Sequence, residues 1–292
     1  MEASLKIPVI ESIRDVSEGR RVWFVDIWGV MHNGRDAFPD ASAATRAFRE
    51  QGGVVILLSN SPRPSPDLQA QLRIIGVPDD AYDATVSSGD LTRHEVGKHK
   101  GARVFHLGPE RDLPIFHQAD VTLTGPEEAE LIVCSGLFDD QVETPEDYVD
   151  LLASLAARDI LMICANPDHK VESGHRLIYC AGALAAAYES LGGNVVYAGK
   201  PHQPVYDLAF ETASKIAGAR GEIISKSDVL AIGDGAKTDI IGAGAFGVPS
   251  VFVASKLHAP DESVGLLDAE HLEGLFAEEP SPPIAATHGL RW

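Results

Sequence analysis

The sequence predicts an α/β fold built on a doubly wound parallel sheet. Two observations carry this. Short apolar runs of strand length recur along the chain and alternate with segments whose apolar residues have helical spacing. The runs are apolar throughout, as strands are when helices cover both faces of a parallel sheet. With 292 residues, 45% of them hydrophobic, the chain can form one large or two medium domains around cores of their own.

The elements follow in order. Residues 21–26 (RVWFVD) read as a buried strand ending at Asp26, with Gly29 in the turn beyond. Ala44, Ala47 and Phe48 have helical spacing over about 41–51, and Gly52–Gly53 stops that helix. Residues 54–59 (VVILLS) form a second strand, followed by Ser59-Asn60-Ser61. Ser65, Pro66 and Asp67 start a helix with an apolar stripe of Leu68, Leu72 and Ile75, ended by Gly76.

The alternation repeats in the middle of the chain. Residues 104–108, 131–135 and 160–165 read as strands. A helix over about 145–158 has Thr144 and Asp147 as its capping pair, and an alanine-rich helix covers about 182–191. In the last third, residues 195–199 (VVYAG) lead to Lys200-Pro201, and Pro204 starts a helix carrying Val205, Leu208, Ala209 and Ile216. Residues 229–233 (VLAIG) end at Asp234, and 248–254 form another strand. The tail from about 278 is rich in proline and acid and is expected to pack loosely, with Trp292 as an anchor. No repeat of solenoid period occurs.

Composition narrows the function. The 43 Asp+Glu against 24 Lys+Arg give a formal charge of −19, which disfavours nucleic acid as a partner. An anionic substrate then needs a local device: a metal ion, a lysine or backbone amides. No apolar run is long enough for a membrane span, and the first 21 residues, with several acids and no continuous apolar stretch, do not read as a secretory signal. Cys134, Cys164 and Cys180 are odd in number and widely spaced, so they read as buried apolar residues in a reduced, cytoplasmic protein.

Four strands end at a polar residue with chemical potential: Asp26, Ser59, Lys200 and Asp234. In a parallel sheet the carboxyl ends of the strands line one edge, where ligands bind. If the four strands are neighbours, two carboxylates, a hydroxyl and an ammonium converge. Such a set suits Mg²⁺ and a phosphate, and a carboxylate can attack phosphorus directly.

The motifs DIWGV (26–30), LLSNS (57–61), GKP (199–201) and GDGAKTD (233–239) stand in the order and approximate spacing of the haloacid dehalogenase-like hydrolases, which the chain resembles from about 20 to 255. Asn166-Pro167-Asp168 followed by Ala181-Gly182-Ala183-Leu184 resembles the larger α/β cap of the class IIA subfamily, which holds N-acetylglucosamine-phosphate and p-nitrophenyl-phosphate phosphatases. The resemblance implies a Rossmann-like core over 1–94 and 196–292 and an inserted cap over 95–195. It implies a phosphatase of small phosphorylated metabolites such as sugar phosphates, with an aspartyl-phosphate on Asp26. Asp26, the Trp28 carbonyl and Asp234 would hold Mg²⁺, with Asp239 behind them. Ser59 and amides around Asn60 and Ser61 would hold the phosphoryl group, Lys200 would pair with it, and Asn166 and Asp168 would face the leaving portion.

One position departs from that pattern. The phosphatases have a second aspartate two residues after the nucleophile, which protonates the leaving oxygen, and here it is Trp28. Such an acid is worth about 10²–10⁴-fold in rate. The nearby His32 is a substitute acid by sequence proximity, against the plainer reading of an ordinary loop histidine. Trp28 keeps two alternatives open: a non-catalytic ligand- or partner-binding protein, and a metal-independent carbon–halogen hydrolase. An exposed cap edge strand would allow a homodimer.

Overall fold

The computed structural model describes residues 6–173, 176–254, 267 and 269–292. The chain divides into two compact units. One takes residues 1–59, 69–85 and 206–292, the other 60–68 and 86–205. Along the chain, α1 (Arg14–Ser17) precedes β1 (Val22–Asp26), α2 (Pro39–Glu50), β2 (Val54–Ser59), α3 (Ser65–Ile75), β3 (Ala84–Ser87) and α4 (Ser88–Val96). Then come β4 (Arg103–Leu107), β5 (Thr122–Leu123), β6 (Leu131–Cys134), α5 (Val149–Ala156), β7 (Leu161–Cys164), β8 (Lys170–Ser173), β9 (Arg176–Tyr179), α6 (Ala181–Ser190) and β10 (Val195–Tyr197). Last are α7 (Gln203–Ala219), β11 (Val229–Gly233), α8 (Ile241–Phe246), β12 (Ser250–Val253), α9 (Ala269–Phe276) and β13 (Ala285–Thr287).

The first unit is built on a sheet in the order β13-β12-β11-β1-β2-β3. β1 pairs in parallel with β11 on one side and β2 on the other, and β12 and β13 continue the parallel pairing. Every residue of β1 and β11 is buried, as their unbroken apolar sequences require. The chain first moves outward from β1 through β2 to β3, then returns to β1's other side and moves outward through β11, β12 and β13. The strand order therefore reverses between β1 and β11, the position at which an open α/β sheet binds its ligand.

The tail is not loose. β13 lies along β12 with all three residues buried, Leu290 is buried, and the Trp292 ring lies 5.9 Å from that of Trp23. An Ala-Ala-Thr strand makes its backbone pairing without an apolar signature, so composition pointed the wrong way.

The second unit has its own sheet, in the order β10-β7-β6-β4-β5, with every neighbouring pair parallel. Leu152 and Leu155 of α5 and Leu184, Ala185 and Tyr188 of α6 pack on Ile132, Met162 and Cys164 of the sheet. Pro145–Tyr148 is a tight 3₁₀ turn leading into α5, opened by the Thr144–Asp147 capping box. The three cysteines are buried free thiols, and burial pushes Cys134 and Cys180 up to about 12. β8 and β9 form an antiparallel hairpin.

β10 is a member of this second sheet. Of the four strands bearing Asp26, Ser59, Asp234 and Lys200, three are immediate neighbours, β11-β1-β2, and the fourth pairs with β7. The reason is local. α5 and α6 are successive crossovers, so the chain leaving β7 through α6 returns beside β7. Among the described residues, no helix is long and apolar enough to cross a membrane.

Candidate active site

Three carboxylates meet at the switch point of the first sheet. Asp26 ends β1, and Asp234 follows Gly233 at the end of β11. Asp239 comes from the wide π-type turn Ala236–Ile240 that opens α8, a helix distortion common at functional sites. One oxygen from each carboxylate lies within 4.8 Å of the other two, and all three residues are buried. Ser59 stands one residue beyond Leu58, which pairs with Asp26 across the sheet.

Two glycines let Asp239 fold back over the strand end. The Gly235 amide donates to Asp239 Oδ2 at 3.2 Å. A Cβ on Gly233 would stand 2.2 Å from Asp239 Cγ, so any side chain there must push the carboxylate out. If the cluster takes up Mg²⁺, Gly233→Ala is expected to weaken that binding about 10- to 100-fold, the usual cost of disturbing a group that supports metal ligands. Calorimetric titration checks this, and an unchanged affinity would contradict it.

The donor set fits a hard divalent cation. Three clustered carboxylates repel one another, and oxygen-only donors suit Mg²⁺ or Ca²⁺. The turn after β1 adds to the fit. Its hydrogen bonds run from Met31 and His32 to the Ile27 carbonyl and from Gly29 to the His32 carbonyl. Among the described residues none of the loop's backbone hydrogen bonds ends on the Trp28 carbonyl.

The Trp28 indole is clamped within this turn. It lies against Gly34, where φ is +89° and a Cβ would stand 2.5 Å from the ring, and it meets the His32 ring edge-on at 5.5 Å. The Gly34 amide donates to His32 Nδ1 at 2.9 Å, which leaves the imidazole proton on Nε2. Burial pushes His32 down to about 4, so it is neutral at physiological pH and holds no imidazolium proton to give. The plainer reading of His32, as a residue that builds the loop, is the one its geometry supports.

The other sequence-derived residues belong to the second unit, three of them at the carboxyl edge of its sheet. Asn166 and Asp168 follow β7, and Lys200 follows β10 and is buried. Asn60 ties two of these together. Its amide nitrogen donates to Asp168 Oδ1 at 2.9 Å and to the Lys200 carbonyl at 3.1 Å, and its oxygen accepts from the Lys200 amide at 2.8 Å. Asn166 Oδ1 accepts from the Asp168 amide at 3.0 Å, an Asx turn that fixes the loop. Ser61 Oγ accepts from the Arg63 amide at 3.2 Å and so shapes its own turn. Gly182 has no room for a side chain because the Pro167 carbonyl would stand 2.1 Å from its Cβ.

Sequence reasoning passed over a further polar group on this edge. Ser135, just past β6, lies 2.9 Å from His106 Nε2, and buried Asp112 bonds to the same serine. The signal was present, since VFHLG and LIVCSG also end strands on polar residues and glycine.

A carboxylate cluster at the switch point of one parallel sheet, with a second parallel α/β unit in the same chain, is the pattern of a capped α/β hydrolase of the aspartate-nucleophile type. A haloacid dehalogenase-like hydrolase family model matches residues 23–122, and a related HAD-hydrolase-like model matches 197–271. The crystal structure of a haloacid dehalogenase-like hydrolase from Brucella suis 1330 is 44% identical. It covers 97% of this chain and 100% of its own, with a TM-score of 0.84. The ribonucleotide monophosphatase NagD of Escherichia coli K12 is 25% identical over 245 residues, 81% of this chain and 88% of its own length. A glycerol phosphate phosphatase from Mycobacterium tuberculosis, solved in complex with magnesium, shares the fold at 21% identity and a TM-score of 0.63, over 86% of this chain and 71% of its own. The chain belongs to the haloacid dehalogenase-like hydrolases, in their NagD-like class IIA.

Proposed function

We propose that the chain is a Mg²⁺-dependent phosphatase of small phosphorylated metabolites such as nucleotides, glycerol phosphate or sugar phosphates. The observation that carries this is the buried Asp26–Asp234–Asp239 cluster at the end of β1 and β11. Relatives named for nucleotide and glycerol phosphate hydrolysis support the substrate class. Residues 95–195 are assigned as the cap that selects the substrate.

Asp26, Asp234 and the Trp28 carbonyl would hold Mg²⁺, which when bound offsets the charge of the phosphoryl group. An oxygen of Asp26 attacks phosphorus, the bond to the leaving oxygen breaks, and the carboxylate becomes an aspartyl-phosphate. Water then attacks that phosphorus, releasing inorganic phosphate and the Asp26 carboxylate. Ser59 and amides at Asn60 and Ser61 are assigned to the phosphoryl oxygens, Lys200 to its charge, and Asn166 and Asp168 to the leaving portion. These assignments rest on motif order in the chain.

The loop after β1 offers no proton to the leaving oxygen, because Trp28 has none to give and His32 is neutral. The reaction therefore favours groups that depart as stable anions: aryl phosphates, acyl phosphates and phosphoanhydrides. kcat/KM for p-nitrophenyl phosphate is expected to exceed that for glycerol phosphate by about 10²-fold or more, the contribution of a positioned acid. Trp28→Asp is expected to narrow that gap. A phosphate-release screen across both substrate types, with Mg²⁺ and with EDTA, tests the reading. No turnover of any phosphate ester, or halide release indifferent to EDTA, would sink it.

A further inference from the structure

The first unit holds a cavity of about 510 Å³ at the end of the sheet opposite its acidic cluster. It is walled by α1, by the chain entering β1, by the Gln51–Gly53 turn before β2, and by Trp292. β1 runs from this cavity to Asp26, and its five residues span about 17 Å at ~3.3 Å each. A molecule filling the cavity is therefore not the one transferred at Asp26.

The lining reverses the charge of the protein. In a chain of net charge −19, three arginines face this cavity, and two lining glutamates oppose them. Arg21 is matched, because it pairs with Glu222 and donates to the Ile223 carbonyl at 2.8 Å. Arg20 donates to the Ser227 carbonyl. Arg14 lies over the Trp292 indole, 5.6 Å from the ring centroid. Neither Arg14 nor Arg20 forms an ion pair among the described residues, and the Arg14 guanidinium donates no hydrogen bond among them. Glu18 also lines the cavity, and the charge of Arg20 is felt by the Asp228 carboxylate outside it.

The lining is also aromatic. Phe48 and Trp292 belong to it, and Trp23 stacks on Phe48 at 4.1 Å behind them. Trp23 Nε1 is buried with no hydrogen-bond partner among the described residues. Guanidinium groups outside any ion pair, beside an indole face, match a ligand with both an anionic group and a flat ring. The volume suits a molecule of mononucleotide size.

We propose that this cavity is a second ligand site, taking a small aromatic anion whose phosphate or carboxylate meets Arg14 and Arg20 and whose ring packs against Trp292. The site is independent of the phosphatase reading.

Titration calorimetry and tryptophan fluorescence on the full chain test it. An Asp26→Asn background in EDTA removes turnover and metal. AMP is the phosphate probe and indole-3-acetate the carboxylate probe, with adenosine and inorganic phosphate as the separated halves. One of the two probes is expected to bind one per chain. Arg14→Ala and Trp292→Leu should each weaken it about tenfold or more, the loss of a charge-assisted contact or a stacking face. Each half should bind about tenfold more weakly than the whole. Arg14 is exposed, so its variant stays folded and decides the matter if Trp292→Leu does not fold. The proposal is overturned if neither probe binds, or if binding survives Arg14→Ala undiminished, whatever Ser59→Ala does.

Discussion

Asp26→Asn is expected to reduce phosphate release by about 10⁴-fold or more while leaving the fold intact. Removing the proposed nucleophile costs on this scale because no other group is assigned to form the covalent intermediate. The amide has the shape of the carboxylate, and the residue sits at the end of a fully buried strand where that shape matters. It also removes one of three clustered negative charges. Stability should therefore hold or rise while activity disappears. Rapid acid quench of the unmodified protein with substrate should leave a phosphate on the peptide bearing Asp26, and the variant should leave none. Turnover by Asp26→Asn at the unmodified rate would refute the mechanism.

Asp234→Asn should act through the proposed Mg²⁺ site. In EDTA, the variant is expected to melt at or above the temperature of the unmodified protein, because three close carboxylates become two. Adding Mg²⁺ should raise the melting temperature of the unmodified protein but not of the variant. A cation at 100 times its dissociation constant adds about 2.7 kcal/mol of stability, which a melting curve resolves easily. Activity should follow the same pattern, abolished by EDTA and restored by Mg²⁺ only with Asp234 in place. Equal Mg²⁺ shifts in both proteins would place the cation elsewhere.

Much of this was readable from the sequence, for physical reasons that differ between elements. β2 and β11 have the bounds expected of them, because each is an unbroken apolar run closed by a polar or glycine signal. α3 begins at Ser65 and ends before Gly76 as its cap and stop residues dictate. α4 escaped notice although Ser87 and Asp90 form a capping box at its start. β5 is two exposed residues and β13 is Ala-Ala-Thr, so neither carries a strand signature.

The site divides in the same way. Asp26 and Asp234 were legible because each directly ends a buried strand, and their closeness follows once β1 and β11 pair. The sheet to which β10 belongs was not legible, since an apolar run does not name its neighbour. The Asn60 contacts join positions 60, 168 and 200, and no local pattern announces them. His32 misleads in sequence because nearness along the chain says nothing about burial or about which ring nitrogen is engaged.

The order of strands has a consequence for how the molecule is made. β1 emerges from the ribosome before most of the second unit, yet its partner β11 emerges only after all of it. Until then β1 offers a bare, entirely greasy edge to solvent, the kind of surface that chaperones shield and that nucleates aggregates. A nascent chain cut short before Val229 should be sticky and inert, and addition of the missing residues 229–292 as a separate polypeptide should rescue both faults together.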